Sequence, residues 1–485
     1  MKDLDAGVLI IGGGISGLVT AWSLLEADHE LDVRLLEASS RLGGAMGTED
    51  VNGFLFERGP NGFLDNVSDT LDLVEALGLS DRLITSSPAA SRRCLLKGGR
   101  LHTLPTSAAE LLRSPLLSVR GKLRVLSEPF RAPGYLDSED SVASFGRRRL
   151  GDEATATFLD PLVTGIYAGD MERLSLQSAF PRIAELEREH RSLARGMLAK
   201  ARDRRRAQAA AGEGSPGISP PDGGPSRGGR LHSFQRGFED LVGALAKRLG
   251  DRALRDVPVE SVRARGDGFE ALLRDRSVIR ARAVVSAVPA PRAANLVSSW
   301  NVDLAAALDE IPYAPVAVVC LGYARSEVGH PLDGFGFLVP RNQGLRTLGA
   351  IWVSSIFPGH APEGHVSLRI MAGGARDPEI VGWSGEDLTD LVIGEMKPIL
   401  ALRGAPVTRK VYRYAQGIPQ YNVGHSKRIR RIEGWLRGSS GLFITGNAFR
   451  GVGVNDCVRE ARRIATEVMD CLRRKKSGPT KGARD

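Results

Sequence analysis

Residues 7–37 join an apolar run, a glycine turn and an amphipathic segment in the order expected of a strand–helix–strand unit. The run GVLIIG predicts a buried strand, and the turn after it matches G-x-G-x-x-G at Gly12, Gly14 and Gly17. The next segment predicts a helix, because apolar residues recur at steps of three and four. These residues are Leu18, Ala21, Trp22 and Leu25. The second strand is DVRLLE, which ends at Glu37.

Each glycine of the turn has a mechanical purpose in a dinucleotide-binding fold. Gly12 makes the tight turn, Gly14 lets the backbone approach a pyrophosphate, and Gly17 lets the helix pack closely on the strand. The helix N-terminus then faces the phosphates, and Glu37 can accept hydrogen bonds from a ribose hydroxyl. The alternative is an ordinary βαβ turn with a surface glutamate. The order of strand, turn, helix and acid favours the dinucleotide site.

The composition is that of a globular protein with two or three domains: 485 residues, 42% hydrophobic and 25% charged. The net charge of +9 favours anionic partners, and the aromatic content of 6% makes nucleic acid the weakest candidate. The four cysteines form no CxxC and no metal-ligand spacing, which predicts a reduced, cytoplasmic chain without a metal site. The first residues are typical of a strand rather than a signal peptide. Because no apolar run could span a bilayer, any membrane contact is expected to be peripheral.

Beyond the first unit, the chain alternates between helical and strand-like regions. Residues 66–229 predict mostly helix, apart from a Gly/Pro-rich surface excursion at 211–230 that cannot bury enough to offset its ordering entropy. Strand patterns return at 257–288 and continue in a mixed region to about 434. The strand GLFIT then precedes a second glycine turn, GNAFRGVGVNDC (446–457), and a final helix. The buried face of this helix is predicted at Val454, Val458, Ala461, Ala465, Val468 and Leu472.

The residues after Glu37 indicate which dinucleotide is bound. Arg41, Leu42, Gly43 and Gly44 resemble a motif of the FAD-dependent amine oxidase superfamily, in which the arginine and glycines would lie near the FAD pyrophosphate and ribityl chain. The alternative for Arg41 is a solvated loop arginine. No second strand–G-x-G-x-x-G–helix unit follows, so the sequence offers no NAD(P) domain. The electrons are therefore expected to pass to oxygen or a quinone.

Further stretches narrow the resemblance to one family. They are FERGPNGFLD (56–65), DPLVTGIYAGD (160–170), EREHRSL (187–193), DGFGFLVP (333–340), GIPQYNVGH (417–425) and GVGVNDC (451–457). Together they resemble the oxygen-dependent protoporphyrinogen oxidase family over nearly the whole chain, except 200–230 and the tail. The resemblance implies an α/β, multi-domain (α+β) fold with a Rossmann-like FAD-binding domain, a mixed-sheet substrate domain and a helical membrane-docking domain.

The same resemblance implies an activity in haem biosynthesis. Protoporphyrinogen IX would be oxidised to protoporphyrin IX by three successive two-electron hydride transfers to flavin N5, with O2 reduced to H2O2. The expected ranges are 1–93, 230–292 and 435–474 for the FAD-binding domain, 94–229 for the helical domain with a flexible insertion at about 201–230, 293–434 for the substrate domain, and 475–485 for a basic tail.

The resemblance also assigns the cofactor site residue by residue. The FAD would be non-covalent, because no Cys or His stands in a recognisable flavinylation motif. The residues expected to contact it are Gly12, Gly13, Gly14, Ile15, Ser16, Gly17, Glu37, Arg41, Gly43, Gly44, Gly59, Pro60, Asn61, Gly62, Val259, Gly446, Asn447, Val452, Gly453 and Val454. Asn61 would neighbour flavin or substrate, with a simple turn asparagine as the alternative, and no residue is assigned as the catalyst. The last helix would direct its positive N-terminus at the reduced ring.

The implied substrate is a flat, largely apolar tetrapyrrole with two propionates, which needs an apolar slot and a cationic anchor. Arg93 would pair with a propionate, because its planar fork holds a carboxylate bidentately. Arg92 is adjacent, and only one of the two would face the cavity from a strand; a surface arginine pair is the alternative. The residues that would line the slot are Gly165, Phe335, Gly336, Leu338 and Met371, whose types alone would suggest ordinary core.

The segment 110–133 interleaves Leu and Val with basic residues, as in a helix that lies in a bilayer interface; these are Arg113, Arg120, Lys122, Arg124 and Arg131. The alternative is a helix packed on its own core with a solvated basic face. The expected partners are a porphyrinogen, O2, the inner face of the cytoplasmic membrane and a ferrochelatase that takes the product. The resemblance is compatible with a homodimer, and no nucleic acid is expected.

Three other functions stay open at this point. Coproporphyrinogen III oxidase acts on a substrate with four propionates and should need more cationic anchors. An amine oxidase or carotenoid desaturase is a weaker candidate, because GFGFLVP and EREHRSL argue against it. A non-catalytic, membrane-bound flavoprotein belongs to a different class, and a flavin that porphyrinogen does not bleach under anaerobic conditions would support it.

Overall fold

The computed structural model describes residues 4–132, 134, 139–210 and 229–477. Most of the predicted flexible insertion (211–228) and of the basic tail (478–485) lies outside the described residues.

The strands are β1 (Leu4–Ile11), β2 (Val33–Leu36), β3 (Thr48–Val51), β4 (Phe54–Glu57), β5 (Phe63–Leu64), β6 (Leu83–Thr85), β7 (Arg93–Lys97), β8 (Arg100–Thr103), β9 (Leu231–Phe234), β10 (Ala253–Leu254), β11 (Val259–Arg265), β12 (Gly268–Leu273), β13 (Val278–Ser286), β14 (Tyr313–Ala324), β15 (Gly336–Leu338), β16 (Thr347–Trp352), β17 (His365–Gly373), β18 (Thr408–Pro419) and β19 (Leu442–Ile444).

The α-helices are α1 (Ile15–Ala27), α2 (Asp69–Ala76), α3 (Ala108–Arg113), α4 (Val119–Leu126), α5 (Val142–Arg149), α6 (Asp152–Ala154), α7 (Asp160–Tyr167), α8 (Leu176–Ala179), α9 (Pro181–His190), α10 (Leu193–Ala210), α11 (Glu239–Leu249), α12 (Ala290–Val297), α13 (Val302–Asp309), α14 (Val353–Ile356), α15 (Gly385–Leu400), α16 (His425–Arg437) and α17 (Val454–Ser477).

The first sheet is built around the predicted strand–turn–helix–strand unit. Its order is β10–β2–β1–β13–β12–β11, and β19 pairs with the C-terminal end of β13. Strands β2, β1, β13 and β19 are parallel, so their carboxyl ends meet at one edge. Helices α1, α11 and α17 pack on one face, and α12, α13 and α16 pack on the other. The central strands are therefore buried on both faces, which explains their continuous apolar runs.

The predicted helical faces are confirmed. In α1, Leu18 and Ala21 are completely buried, and Trp22 is nearly so. Helix α17 buries the predicted set Val458, Ala461, Ala465, Val468 and Leu472, while Val454 is partly buried against the same core. The first and last helices pack against each other through these faces, although they are more than 400 residues apart in the sequence.

The second sheet has the order β18–β14–β17–β16–β15–β7–β8. One face packs on α15 through residues such as Leu321, Leu368 and Ile370. Because side chains alternate along a strand, the neighbouring positions Arg369 and Met371 face the other way, and both line a large cavity. The register places Arg93, Gly336, Ile351 and Arg369 directly opposite one another across four strands.

Strands β7 and β8 differ from the prediction of helix and of a helical domain for this part of the chain. Arg93–Lys97 and Arg100–Thr103 form a hairpin that extends the second sheet. Gly98 and Gly99 have φ angles of 59° and 73°, which suit a two-residue turn with two left-handed positions. The buried run from Cys94 to Leu96 supplies the apolar strand. Residues 93–103 therefore belong structurally to the second sheet.

The helical part consists of short helices with its own core. Residues such as Val142, Phe145, Val163 and Tyr167 form this core. Arg149 is fully buried, forms an ion pair with Glu128 and donates to backbone carbonyls. Across the described residues, the helices are all too short or too polar to cross a bilayer.

Candidate active site

A cavity of about 1860 Å³ is lined by residues of both sheets and of the helical part. Sites for drug-sized ligands usually measure about 300–1,000 Å³, so this cavity has room for a dinucleotide and a second molecule. We call the part lined from residues 11–16, 36–46, 257–260 and 446–460 the glycine-turn half. We call the part lined from residues 93, 162–200, 316–318, 335–371 and 414–418 the apolar half.

The turn after β1 forms one wall of the glycine-turn half. Helix α1 begins directly after Gly14, and no side chain caps it. Its first N–H groups are therefore available to an anion. A Cβ atom on Gly14 would meet nothing within 4 Å, so open space adjoins the backbone. A Cβ atom on Gly17 would lie 1.9 Å from the Gly12 carbonyl oxygen, which explains why helix and strand can pack so closely only with glycine.

Glu37 and Arg41 both hold the backbone of this half in place. The Gly13 N–H donates to Glu37 Oε2 at 2.8 Å, and the Ser39 N–H donates to Glu37 Oε1 at 2.9 Å. Lone pairs of the carboxylate remain for a ribose hydroxyl, and Glu37 lines the cavity. Arg41 differs from the expectation of a cofactor contact, because it donates to the Leu42 and Met46 carbonyls at 2.7 and 2.8 Å. Its guanidinium therefore stabilises the loop of residues 42–46 and does not line the cavity.

The loop after β4, residues 58–62, lies where the two halves of the cavity meet. Both side-chain polar atoms of Asn61 are buried without a hydrogen-bond partner in the described structure. Buried amides in native proteins nearly always have a partner, so Asn61 has the properties of a ligand-binding group. The second sheet fixes this loop, because Arg369 donates to the Gly59 carbonyl and the Tyr414 hydroxyl donates to the Arg58 carbonyl at 3.2 Å.

The second glycine turn closes the glycine-turn half. A Cβ atom on Gly446 would meet nothing within 4 Å, so this turn also borders open space. Asn455, in the first turn of α17, donates to the Leu64 carbonyl at 2.8 Å and connects the helix to β5. Asp456 Oδ2 accepts from the Gly453 N–H at 3.2 Å. One of the expected free N–H groups of the helix N-terminus therefore already has an acceptor within the protein.

The apolar half is lined mainly by small and apolar side chains, and Arg93 is one of the cations among them. The Arg93 guanidinium lies 5.1 Å from the centre of the Phe335 ring. Desolvation lowers the pKa of Arg93, and no carboxylate of the described residues pairs with it. Gly336 does not line the cavity; it lets β15 and β16 approach closely, because a Cβ atom there would strike the Ala350 carbonyl at 2.0 Å. Arg92 points elsewhere and forms an ion pair with Asp333, in line with the prediction that only one of the two arginines faces the cavity.

Most of the predicted residues lie together. Those that line the cavity are Gly12, Gly14, Ile15, Ser16, Glu37, Gly43, Gly44, Gly59, Pro60, Asn61, Gly62, Val259, Gly446, Asn447, Val452, Gly453 and Val454 in the cofactor set, and Arg93, Gly165, Phe335 and Met371 in the substrate set. The predicted residues Gly13, Gly17, Arg41 and Gly336 do not line the cavity. Leu338 packs against Gly165, because a Cβ atom on Gly165 would lie 2.8 Å from Leu338 Cδ2.

Sequence reasoning missed two residues that shape the cavity. Arg369 is buried and lines it, and Tyr421 holds the second glycine turn without lining it. The strand HVSLRIMAG carries a signal for Arg369, because strict alternation places Arg369 and Met371 on the same face. No comparable local signal identifies Tyr421, since its hydroxyl contacts Asn447 and Gly451, which lie 26 and 30 residues further along the chain.

The chain belongs to the family of flavin containing amine oxidoreductases, whose profile matches residues 15–469. It is 30% identical to the coproporphyrinogen III oxidase of Bacillus subtilis, over 97% of this chain and 100% of that protein. It is 33% identical to the protoporphyrinogen oxidase of Homo sapiens, over 95% of this chain and 98% of that protein. The crystal structure of a protein from Exiguobacterium sp. 255-15 is 25% identical, with a TM-score of 0.81 and coverage of 98% and 100%.

These similarities confirm the family and the fold class predicted from the sequence. The chain is an oxidoreductase with a multi-domain flavoprotein fold of helices and mixed sheets. Its cofactor is a flavin.

Proposed function

We propose that this chain oxidises a porphyrinogen to the corresponding porphyrin, with non-covalently bound FAD as cofactor and O2 as electron acceptor. One observation carries the proposal: an apolar slot adjoins a dinucleotide cradle in the same cavity, and Arg93 lines this slot without a carboxylate partner in the described structure. The ring of a tetrapyrrole fits the apolar slot, and one of its peripheral carboxylates fits Arg93. The names of the similar enzymes from Bacillus subtilis and Homo sapiens support the same substrate class.

The residues present fit FAD. The open spaces beside Gly14 and Gly446, the uncapped start of α1 and the unpartnered amide of Asn61 lie around one half of the cavity. Bound there, FAD would supply the two-electron redox chemistry that no side chain provides. Cys457 also lines the cavity, but burial raises its pKa to about 12, so its thiol is protonated and unsuited to covalent attachment of the flavin.

The side chains of the apolar half bind and orient the substrate rather than carry protons. Among its described lining residues there is no carboxylate and no histidine. Arg93 would hold a carboxylate, and Phe335 and Met371 would contact the macrocycle. Because the slot would fix the plane of the macrocycle, the protein contributes orientation to a reaction whose electrons pass to the cofactor.

A coproporphyrinogen is the second candidate substrate, and two further cations favour it. Arg182 on α9 and Lys200 on α10 both line the cavity; neither forms a direct ion pair in the described structure, although burial raises the pKa of Asp456 and the charge of Arg182 acts against that rise. They could receive carboxylates beyond the pair expected in a protoporphyrinogen. Neither cation lies on the second sheet with Arg93, so the three could engage different edges of one macrocycle.

The decisive experiment is an aerobic assay of the purified protein with each porphyrinogen, followed by porphyrin fluorescence and peroxide yield. We expect a yellow protein that releases FAD on denaturation and forms about three H2O2 per porphyrin, since six electrons leave the macrocycle in pairs. The preferred substrate is the one with the higher kcat/KM. Absence of porphyrin formation with both substrates, together with no anaerobic bleaching of the flavin, would reject the proposal.

We also propose that α3 and α4 dock on an anionic membrane surface. Leu112, Val119, Leu123 and Phe130 are at least half exposed there, at 51–85%, beside the exposed cations Arg113 and Arg120. This combination suits a bilayer interface. Arg124, which the sequence places in the same basic set, instead donates to the carbonyls of residues 147–149 and should be left intact.

A double substitution, Leu123→Asp with Phe130→Asp, should abolish sedimentation with vesicles containing anionic lipid, while leaving porphyrin formation in detergent unchanged. The matched control is Val302→Asp, since Val302 is 71% exposed but lies on α13, outside this surface. Equal vesicle binding by the double variant and the wild type would reject the docking surface.

A further inference from the structure

The segment GIPQYNVGH at residues 417–425 joins three parts of the molecule. Strand β18 of the second sheet ends at Pro419, and α16 begins at His425. The Gln420 N–H donates to the Pro312 carbonyl at 2.8 Å, and the Gln420 side-chain amide donates to the Tyr167 carbonyl at the end of α7, also at 2.8 Å. Tyr421, which follows, is 2% exposed.

The Tyr421 hydroxyl bridges the second glycine turn. It donates to the Asn447 carbonyl at 2.5 Å and accepts from the Gly451 N–H at 2.8 Å. These two backbone groups lie near the two ends of the segment from Gly446 to Gly453, which lines the glycine-turn half of the cavity. Gly451 has a φ of 132°, a conformation that is open to glycine and strained for other residues.

The ring of Tyr421 is itself held from several sides. It stacks on His425 with a centroid distance of 4.1 Å and an interplanar angle of 12°. The Tyr167 ring lies 5.7 Å away, and the Tyr421 carbonyl accepts from the Ser175 N–H at 2.8 Å. Helix α7, which ends at Tyr167, carries Gly165 in the apolar half. The hydroxyl therefore occupies a position fixed by the helical part and the second sheet.

We propose that Tyr421 is a positioning residue for the flavin, whose hydroxyl sets the shape of the turn from Gly446 to Gly453 and so determines cofactor affinity and reduction potential. The inference rests on the proposed function in one respect, that this half of the cavity holds FAD. Packing alone does not require the hydroxyl, because phenylalanine would keep the stacked ring. Only the two hydrogen bonds to the turn need the oxygen atom.

The test is Tyr421→Phe, which removes one atom. Two part-buried backbone groups lose a partner, and a loss of this kind corresponds to roughly a tenfold change in an equilibrium. We expect the FAD dissociation constant of the purified protein to rise about tenfold. The looser turn should also favour the reduced flavin about tenfold less, which lowers the potential of the two-electron couple by about 30 mV.

Tyr323→Phe is the matched control, because the Tyr323 hydroxyl is buried without a partner in the described structure. FAD affinity and potential of this variant should equal those of the wild type. Hydrogen exchange gives a second readout, since the Gly451 N–H should exchange faster in Tyr421→Phe than in the control.

Wild-type affinity and potential in Tyr421→Phe would overturn the inference while leaving the proposed function intact. A lower melting temperature of the FAD-free variant with unchanged FAD affinity would also overturn it, because the role would then be purely structural. A wild-type protein that binds no FAD would reject the proposed function and this inference together.

Discussion

Arg93 offers the most direct test of how the cavity binds its substrate. Its side chain is reached by water through the cavity, its nearest aromatic neighbour is Phe335, and no carboxylate in the described structure neutralises it. Desolvation lowers its pKa, but an arginine keeps its charge at any pH used for an enzyme assay. The charge is therefore available to an anionic ligand.

The expected loss in Arg93→Ala follows from that environment. A hydrogen bond to a charged group contributes about 1.5–3 kcal/mol, so kcat/KM should fall about 10- to 150-fold. Because a propionate is remote from the reacting carbon, the contact is the same in the ground and transition states. The loss should therefore appear mainly in KM, with kcat within about threefold of the wild type. Arg93→Lys should lose less than Arg93→Ala, since it keeps the charge but not the planar fork.

The assay is the initial rate of porphyrin fluorescence over a range of porphyrinogen concentrations at saturating FAD. Arg92→Ala is the matched control, because Arg92 is adjacent and exposed and forms an ion pair with Asp333 outside the cavity. Its KM should equal that of the wild type. An unchanged KM in Arg93→Ala, or equal losses in both variants, would refute the assignment of Arg93 as the anchor.

Three further variants test residues that lie in, or pack beside, the glycine-turn half of the cavity. Gly17→Ala should lower the free energy of unfolding by about 1–3 kcal/mol in urea titrations, because its Cβ would strike the Gly12 carbonyl; wild-type stability would contradict this. Asn61→Ala should leave the melting temperature of the FAD-free protein equal or higher, since its amide has no partner, but should weaken FAD binding or lower kcat; unchanged values of both would exclude Asn61 from the site. Burial raises the pKa of Glu57 from 4.5 to about 8. The folded protein therefore holds a proton that the unfolded chain releases between these values, and stability should fall by up to about 1.4 kcal/mol per unit as pH rises across this window. Glu57→Gln should flatten that slope in urea titrations from pH 5 to 8, and an unchanged slope would contradict the argument.

Local physical constraints made the first unit predictable from sequence. The turn at Gly12 to Gly17 depends on neighbours within a few residues, and the buried faces of α1 and α17 follow from helical periodicity alone. The hairpin at Arg93–Thr103 was missed even though Gly98 and Gly99 separate two strand-like runs, because its surroundings are helical. Its first strand, β7, pairs with β15, which is more than 200 residues away in the sequence, and among the described strands β8 pairs only with β7.

The parts of the site that could not be predicted from the sequence depend on contacts between residues that are far apart in the chain. Arg369 reaches the Gly59 carbonyl across 310 residues, and Tyr421 reaches Asn447 from the end of another sheet. Neither residue type is unusual at its position, since an arginine in a strand and a tyrosine just beyond the end of a strand are most often surface or core groups. Arg41 shows the opposite case, because a matching motif predicted a cofactor contact and the side chain instead folds back on its own loop.

The topology explains why two glycine turns more than 400 residues apart can serve one cofactor. Strand β13 pairs in parallel with β1 along most of its length and with β19 at its C-terminal end. Parallel strands end at the same edge of a sheet, so the turns after β1 and β19 must open on the same side. Five of the seven strands of the second sheet, β14–β18, lie in the chain between β13 and β19. The chain therefore leaves the first sheet after β13 and returns to it at this edge with β19. The cavity forms at the same edge, and Tyr421, in the returning segment, contacts the last turn there.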